Sequence, residues 1–346
     1  MNRINADNTT DIQQHFAFPY GNEFKFWLIP NKNNQEKSMM KTRLIALLLS
    51  CFLAPLALAD IRIGVSIAQT NDVFLARMRN DMAEHARQLP DIDLQFEDAQ
   101  GDVVRQLNQV QNFIAQGVDA IIVNPVDTAA TRNITRQATQ AGIPLVYVNR
   151  RPEEATFPPG VAYIGSDEFK AGELQMQYLA ERMGGKGNLA IMLGLLSNDA
   201  TRNRTRGLKE VLKKYPDIHI VEEQNADWLR EKGMDLMNNW MVSGQRIDAV
   251  AANADEMAIG AALALKQAGL NPGKDILIAG TDGGPNGLDA IRNGLLQATV
   301  YQDGKGQAKG SIDLAVKMVR KETFEAEVSI PFQLVTQGNY ENFLNR

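Results

Sequence analysis

From Ile61 onward, the chain alternates short runs of apolar residues with longer segments whose apolar residues recur every three or four positions. The short runs predict β-strands, and the longer segments predict amphipathic helices. Because the short runs are apolar at nearly every position, they are typical of a parallel sheet that helices cover on both faces. The predicted strands are IRIGVSIA (61–68), IDLQFED (92–98), DAIIVN (119–124), IPLVYVN (143–149), NLAIMLG (188–194), IHIVEEQ (218–224), DAVAAN (248–253) and ILIAGTD (276–282).

The pattern of strands and helices occurs twice along the chain. The strand at 119–124 is followed by a helix that ends in Gln-Ala-Gly, and the strand at 248–253 is followed by a helix with the same ending. This internal repeat predicts two similar lobes, each built on its own sheet. The next strand ends in Asn149-Arg150 in the first half and in Asp282 in the second. Since parallel sheets bind ligands at the carboxyl ends of their strands, we expect these polar residues to line a cleft between the lobes.

Residues 39–59 have the order of features found in a cleaved secretory signal. Lys41 and Arg43 precede an apolar run, and an Ala-Leu-Ala tripeptide that ends at Ala59 supplies the small residues that signal peptidase accepts. The run is too short for a transmembrane helix and lacks its flanking pattern. We therefore predict export to the periplasm, with a mature chain that begins at Asp60.

The segment ahead of this signal, residues 1–38, is polar, rich in asparagine and aperiodic. It predicts a non-native or disordered leader, with the true start at Met39 or Met40. An alternative starts from the LLSC segment that ends at Cys51, which is similar to a lipoprotein acceptor with a lipidated cysteine. The apolar run is very short before Cys51 and continues well beyond it, which favours cleavage after Ala59.

Composition narrows the class of partner. The 346 residues are 44% hydrophobic and 22% charged, as in globular proteins, and the length allows about two domains. A net charge of −5 leaves no broad basic surface for nucleic acid. A single cysteine excludes an internal disulfide framework, and three histidines leave few ligands for a metal. We expect a small-molecule partner, with no metal and no cofactor.

The sequence has no Walker loop, no HExxH zinc motif and no GxSxG nucleophile elbow. The GKGNLA segment (185–190) is similar to GxGxxA but precedes its strand, whereas a dinucleotide-binding loop must follow one. His85 and His219 are assigned to the surface or to packing. A sugar-processing enzyme is therefore an alternative without support from a nucleophile and base.

Nine segments, in order, carry a resemblance to the ribose/inositol-type sugar-binding proteins of bacterial ABC importers, the type I periplasmic binding proteins. The resemblance spans nearly all of the predicted mature chain. The segments are IGVSIAQTNDVF, GVDAIIVNPVD, IPLVYVNRR, YIGSDEFKAGE, ATRNRTRG, NADWLREKG, DEMAIGAALALKQAG, IAGTDGGPNG and ATVYQDGKGQAKG.

The resemblance implies two α/β lobes that are joined by three hinge strands. It also implies that the protein is a monomer that captures a sugar or cyclitol by hinge closure and delivers it to an inner-membrane ABC permease. An alternative of the same fold is a ligand-sensing protein for a chemoreceptor or sensor kinase. The implied division of the chain is a first lobe of residues 60–166 plus 303–330 and a second lobe of residues 167–302 plus 331–346.

Sugar hydroxyls both donate and accept hydrogen bonds, so Asp, Asn, Gln and Arg suit them, and flat aromatic rings suit the C–H faces of a sugar ring. Carried over position by position, the resemblance implies ten ligand-binding residues. They are Asn71, Phe74, Asn124, Asn149, Arg150, Arg202, Trp228, Asn253, Asp282 and Gln302.

Three positions depart from the pattern of the ribose-binding proteins. Val73 replaces an aromatic wall residue, Asn149 replaces the usual acidic residue before the arginine, and Ala254 replaces an asparagine. Asn253, the counterpart of Asn124 in the internal repeat, is predicted to take the role of that asparagine. These departures favour an inositol-like ligand over ribose.

Overall fold

The computed structural model describes residues 60–344; the predicted leader and signal, including Cys51, lie outside them. Within this range, no helix has the length and apolar character needed to cross a membrane. The helices are α1 Val73–Ala86, α2 Val103–Gln116, α3 Arg132–Ala141, α4 Glu168–Arg182, α5 Asp199–Leu212, α6 Arg230–Ser243, α7 Asp255–Gln267, α8 Pro285–Arg292 and α9 Gly304–Val319, with a short 3-10 helix at Tyr340–Phe343.

The first sheet has six parallel strands in the order β11-β5-β4-β3-β1-β2. Successive residues of β3 point to opposite faces, so that Ile122 packs with α1 and α9 while Ile121 packs with α2 and α3. In β1, Gly64 leaves room for the Phe113 ring, since a Cβ there would lie 2.4 Å from a ring carbon. The strands are β1 Ile61–Ile67, β2 Ile92–Asp98, β3 Ala120–Val123, β4 Leu145–Asn149, β5 Val161–Gly165 and β11 Glu327–Ser329.

The second sheet has the order β12-β10-β9-β8-β6-β7, parallel except for the edge strand β12, which pairs antiparallel with β10. In β8, Val250 packs with α6 and α7, and Ala251 packs with α4 and α5. The strands are β6 Lys186–Leu193, β7 Asp217–Asn225, β8 Ala249–Ala252, β9 Leu277–Ala279, β10 Ala298–Tyr301 and β12 Gln333–Thr336.

The internal repeat is visible in the hydrogen bonds that follow β3 and β8. The backbone N–H of Asn124 donates to the Ser66 carbonyl (2.9 Å), and its Oδ1 accepts from the Ala68 amide (3.3 Å). Asn253 makes the same pair of bonds, donating to the Met192 carbonyl (2.9 Å) and accepting from the Gly194 amide (3.2 Å). Each asparagine therefore joins the ends of two neighbouring strands in its own sheet.

The chain passes between the two sheets three times, after β5, after β10 and after β11. The predicted fold class, two similar α/β lobes, is confirmed. The pattern missed β5, β10, β11 and β12; the last two have only three and four residues and are partly exposed. We retain 60–166 plus 303–330 and 167–302 plus 331–346 as the proposed division into lobes.

Candidate functional site

A cavity lies between the carboxyl ends of the strands of the two sheets. Its empty volume is about 450 Å³, including solvent at its open side. Six of the ten predicted residues are among those that line it. The lining residues are Asp72, Val73, Phe74, Leu75, Asn149, Arg150, Ala200, Arg204, Trp228, Ala254, Glu256, Asp282 and Gln302.

The first lobe contributes a guanidinium and a carboxylate. Arg150, which follows β4, donates from Nη1 to the Pro125 carbonyl (3.0 Å), and its Nη2 lies 3.8 Å from Asp72 Oδ2. Asp72 also caps α1 by accepting from the Leu75 amide (3.1 Å). Burial raises the pKa of the Asp72 carboxyl and lowers the pKa of Arg150, while their mutual attraction opposes both shifts. Asp72 and Arg150 both line the cavity, and each side chain has more hydrogen-bonding positions than these contacts use.

The second lobe contributes Arg204, which sequence reasoning missed. Its Nε donates to Glu168 (2.6 Å), its Nη2 donates to Gln302 Oε1 (3.2 Å), and its Nη1 lies 3.5 Å from Asp282 Oδ1. Nη1 also donates to the Asn253 carbonyl. Because Arg204 is 4% exposed, its carboxylate partners are what keep the charge stable, and they raise its pKa against the effect of burial. Arg204 is therefore the electrostatic centre of this side of the cavity.

Asp282 lines the cavity beside Arg204. Its backbone lies between the Val300 carbonyl, to which it donates (2.9 Å), and the Gln302 amide, from which it accepts (2.9 Å). Burial raises the pKa of Asp282 well above its usual value; the nearby Arg204 lowers it, and Asp255 raises it further. A ligand group that donates a hydrogen bond to Asp282 would stabilise the ionised carboxylate.

Three cavity residues have a backbone that favours glycine. The φ angles are 68° at Asn149, 69° at Trp228 and 128° at Asp282. Such conformations cost energy for residues with a Cβ, and they persist where the surroundings hold them, often at binding sites. Asn149 ends β4, and Trp228 and Asp282 lie in the loops after β7 and β9, so all three occur at the carboxyl ends of strands.

Trp228 forms one wall of the cavity. Its ring lies against Gly194, where a Cβ would come within 2.1 Å of a ring carbon, and its Nε1 donates to Asn198 Oδ1 (3.0 Å). The Arg204 guanidinium carbon is 5.8 Å from the ring centroid. Phe74 also lines the cavity and lies against Gly304 at the start of α9. The ring of Trp228 is therefore fixed on its outer side, with a face left for the cavity.

Replacing Trp228 with alanine removes this wall and leaves the polar groups in place. We expect polyol binding to weaken by on the order of 1–3 kcal/mol, since burial and stacking are lost. Isothermal titration calorimetry measures this change. The tryptophan fluorescence of the wild type should also respond to ligand. Trp228→Phe should lose that response, because the tryptophan that remains within residues 60–344 is Trp240, which is buried in the core. Unchanged affinity in Trp228→Ala would contradict the wall assignment.

Four predicted residues do not line the cavity. Asn71 is exposed in the loop before α1. Asn124 is fully buried, and its Nδ2 donates to the Val148 carbonyl (3.2 Å) and lies 3.4 Å from Asn149 Oδ1. Asn253 is buried below the cavity surface. Arg202 is exposed and pairs with Glu153. These four remain predictions as ligand contacts, and the geometry favours structural roles for Asn124 and Asn253.

Arg202 and Arg204 show why one arginine of the ATRNRTRG segment reaches the cavity and the other does not. Residues two apart point to different sides of a helix, whereas residues four apart share a side. Ala200 and Arg204 share the side of α5 that lines the cavity. Arg202 instead donates to Thr128 Oγ1 (3.0 Å) and Glu153 Oε1 (2.6 Å) in the first lobe. The helical spacing was the available signal for Arg204.

The family model for the periplasmic binding protein domain matches residues 63–323. The chain belongs to the periplasmic binding protein family. It is 47% identical over 284 residues to a putative rhizopine-binding protein of Rhizobium meliloti, covering 81% of this chain and 92% of that protein. It is 30% identical over 309 residues to the ribose import binding protein of Bacillus subtilis, covering 87% of this chain and 98% of the relative.

A solved solute-binding protein of an ABC transporter from Bacillus halodurans C-125, with bound myo-inositol, has the same fold. The two chains superpose with a TM-score of 0.77 at 41% identity, covering 83% of this chain and 98% of the other. The predicted family resemblance is thereby confirmed. These relatives are binding proteins.

Proposed function

We propose that this protein captures a cyclic polyol, with an inositol-like cyclitol favoured over ribose, between its two lobes in the periplasm. The observation that carries the proposal is that each lobe places one arginine and one aspartate on the same cavity. These are Arg150 and Asp72 from the first lobe and Arg204 and Asp282 from the second.

The chemistry of these groups fits a ring that bears several hydroxyls. Carboxylates accept hydrogen bonds from hydroxyls, and guanidinium groups donate to hydroxyl oxygens. Asp and Arg side chains together therefore suit both the donor and the acceptor atoms of a hydroxyl. Trp228 and Phe74 offer apolar faces for the C–H side of the ring. The relatives named for rhizopine and crystallised with myo-inositol support the cyclitol class.

Closure of the lobes supplies the mechanism. A ligand that contacts Arg150 and Asp282 together gains both sets of bonds when the lobes are closed, so it shifts the population toward the closed state. The three passages between the sheets, after β5, β10 and β11, lie at the positions where the chain would bend. Delivery then follows by docking of the closed protein on an inner-membrane ABC permease, with the binding protein acting as a monomer.

A thermal-shift screen tests the ligand class. We expect myo-inositol and related cyclitols to raise the melting temperature, because a ligand at about 100 times its Kd adds about 2.7 kcal/mol to the free energy of unfolding. Ribose, xylitol, galactose and fructose serve as comparison ligands, and calorimetry then gives affinities. A screen in which none of these polyols changes the melting temperature would overturn the proposal. Co-purification with the permease, or instead with a chemoreceptor, distinguishes transport from sensing.

The N-terminus of the mature protein tests the predicted export. We expect N-terminal sequencing of the protein recovered from the periplasm to begin at Asp60, since the Ala-Leu-Ala tripeptide ends at Ala59. A mature terminus at a lipid-modified Cys51 would contradict this and would place the protein on a membrane surface.

A further inference from the structure

Asn198 lies at the point where the Trp228 wall meets the opposite lobe. It is fully buried, and its Oδ1 accepts the indole N–H of Trp228 (3.0 Å) in the second lobe. Its Nδ2 donates to the Val126 carbonyl (3.0 Å) in the first lobe. One amide thus joins the cavity wall to the other side of the cleft.

The side chain of Asn198 does not cap the helix that follows it. Asn198 is the N-cap residue of α5, a place where asparagine commonly accepts a hydrogen bond from the first turn of the helix. Here it makes no such cap bond. Both ends of the amide are directed instead to Trp228 and Val126, so helix capping does not account for this residue.

The surroundings show that this bond belongs to the contact between the lobes. Next to it, the Thr128 amide donates to the Ser197 carbonyl (3.4 Å). Arg202 and Glu153 form an ion pair farther out, with side chains 39% and 51% exposed. Water can replace the partners of the exposed ion pair when the lobes separate, whereas a buried amide loses more when its partner is removed.

We propose that Asn198 is a positioning residue that couples the orientation of Trp228 to closure of the lobes. An amide carries its acceptor oxygen and its donor nitrogen on one rigid plane, so accepting the indole N–H also sets the position of Nδ2, which donates to Val126. A ligand held against Trp228 therefore stabilises the arrangement in which the lobes are joined. This inference rests on the proposed function and adds a residue that does not itself line the cavity but holds one that does.

Asn198→Asp is the sharpest single test. The new side chain still accepts from Trp228 and still suits the start of a helix, but it sets an oxygen against the Val126 carbonyl. We expect the Kd for myo-inositol to rise at least about tenfold, through faster dissociation in stopped-flow fluorescence. Small-angle scattering should show less compaction than in the wild type at equal ligand concentration. Asn239→Asp, an exposed change of the same chemistry in α6, should match the wild type.

A double-mutant cycle tests the coupling itself. Asn198→Ala and Trp228→Phe each break the bond between the two residues, so Trp228→Phe should weaken binding less in the Asn198→Ala background than in the wild type. Effects that multiply would overturn the coupling, as would an Asn198→Asp variant with wild-type affinity and dissociation rate. If Asn198→Ala does not fold, by circular dichroism, the Asn198→Asp comparison decides. Wild-type protein that binds no polyol would overturn the proposed function and this inference with it.

Discussion

Replacing Arg204 with alanine is expected to abolish polyol binding and to lower the free energy of unfolding by roughly 3–5 kcal/mol. The guanidinium is held by Glu168 at 2.6 Å, with side chains 5% and 2% exposed. Removing one partner of a buried ion pair leaves the other charge without compensation and without water. Here Glu168 and Asp282 would both lose their cation, and the cavity would lose a donor.

Arg202→Ala is the matched control, because it removes the same side chain from the same helix two residues earlier. The Arg202 side chain is 39% exposed and pairs with an exposed Glu153, so its loss should change stability by at most about 1 kcal/mol. Arg204→Lys keeps the charge but loses the fork of donors, and it should fall between the two. Urea denaturation gives the free energies, and calorimetry gives binding. Equal effects of Arg202→Ala and Arg204→Ala would contradict the central role of Arg204.

Much of the fold follows from the hydrophobic pattern. Strands β3 (Ala-Ile-Ile-Val) and β8 (Ala-Val-Ala-Ala) are apolar at every position, which predicts from sequence alone that both of their faces are covered. In the structure every one of these residues is buried. The repeat that relates them then implies two lobes and a cleft. Edge strands are harder to predict from sequence. Strand β11 has the sequence Glu-Val-Ser and is exposed at two of its three residues. A strand of this kind forms because β5 offers it partners, which the local sequence does not show.

The expectation that polar strand ends line the cleft holds for some of these residues and not for others, for a physical reason. Asn149, Arg150 and Asp282 reach the cavity, but Asn124 and Asn253 follow strands equally closely and turn back to the backbone of neighbouring strands. A short amide at a strand end can satisfy unpaired backbone groups as well as a ligand can. Which of these it does depends on the strand beside it, and that is decided by tertiary packing.

The buried Asp199 carboxyl makes the free energy of unfolding depend on pH. Asp199 begins α5, is 7% exposed, and its Oδ1 has no hydrogen-bond partner among the described residues. Burial and the neighbouring Glu168 carboxylate raise its pKa from 3.8 to about 7, while Arg150 and the amides of Arg151 and Ala200 act in the opposite direction. Arg150 and Arg151 belong to the first lobe, so this carboxyl lies at the contact between the lobes.

Asp199→Asn is expected to make the protein more stable than the wild type at pH 8, with a much smaller difference at pH 5. The folded state binds the Asp199 proton more tightly than the unfolded state does, so wild-type stability decreases as pH rises from about 4 through about 7. Three pKa units correspond to on the order of 4 kcal/mol, which the neutral amide no longer loses at high pH. Urea denaturation of both proteins between pH 5 and pH 8 measures the difference, and Asp235→Asn, at an exposed position of α6, controls for the loss of one negative charge. A difference between Asp199→Asn and the wild type that stays constant with pH would mean that Asp199 is ionised throughout this range, and that the contact between the lobes accommodates its charge.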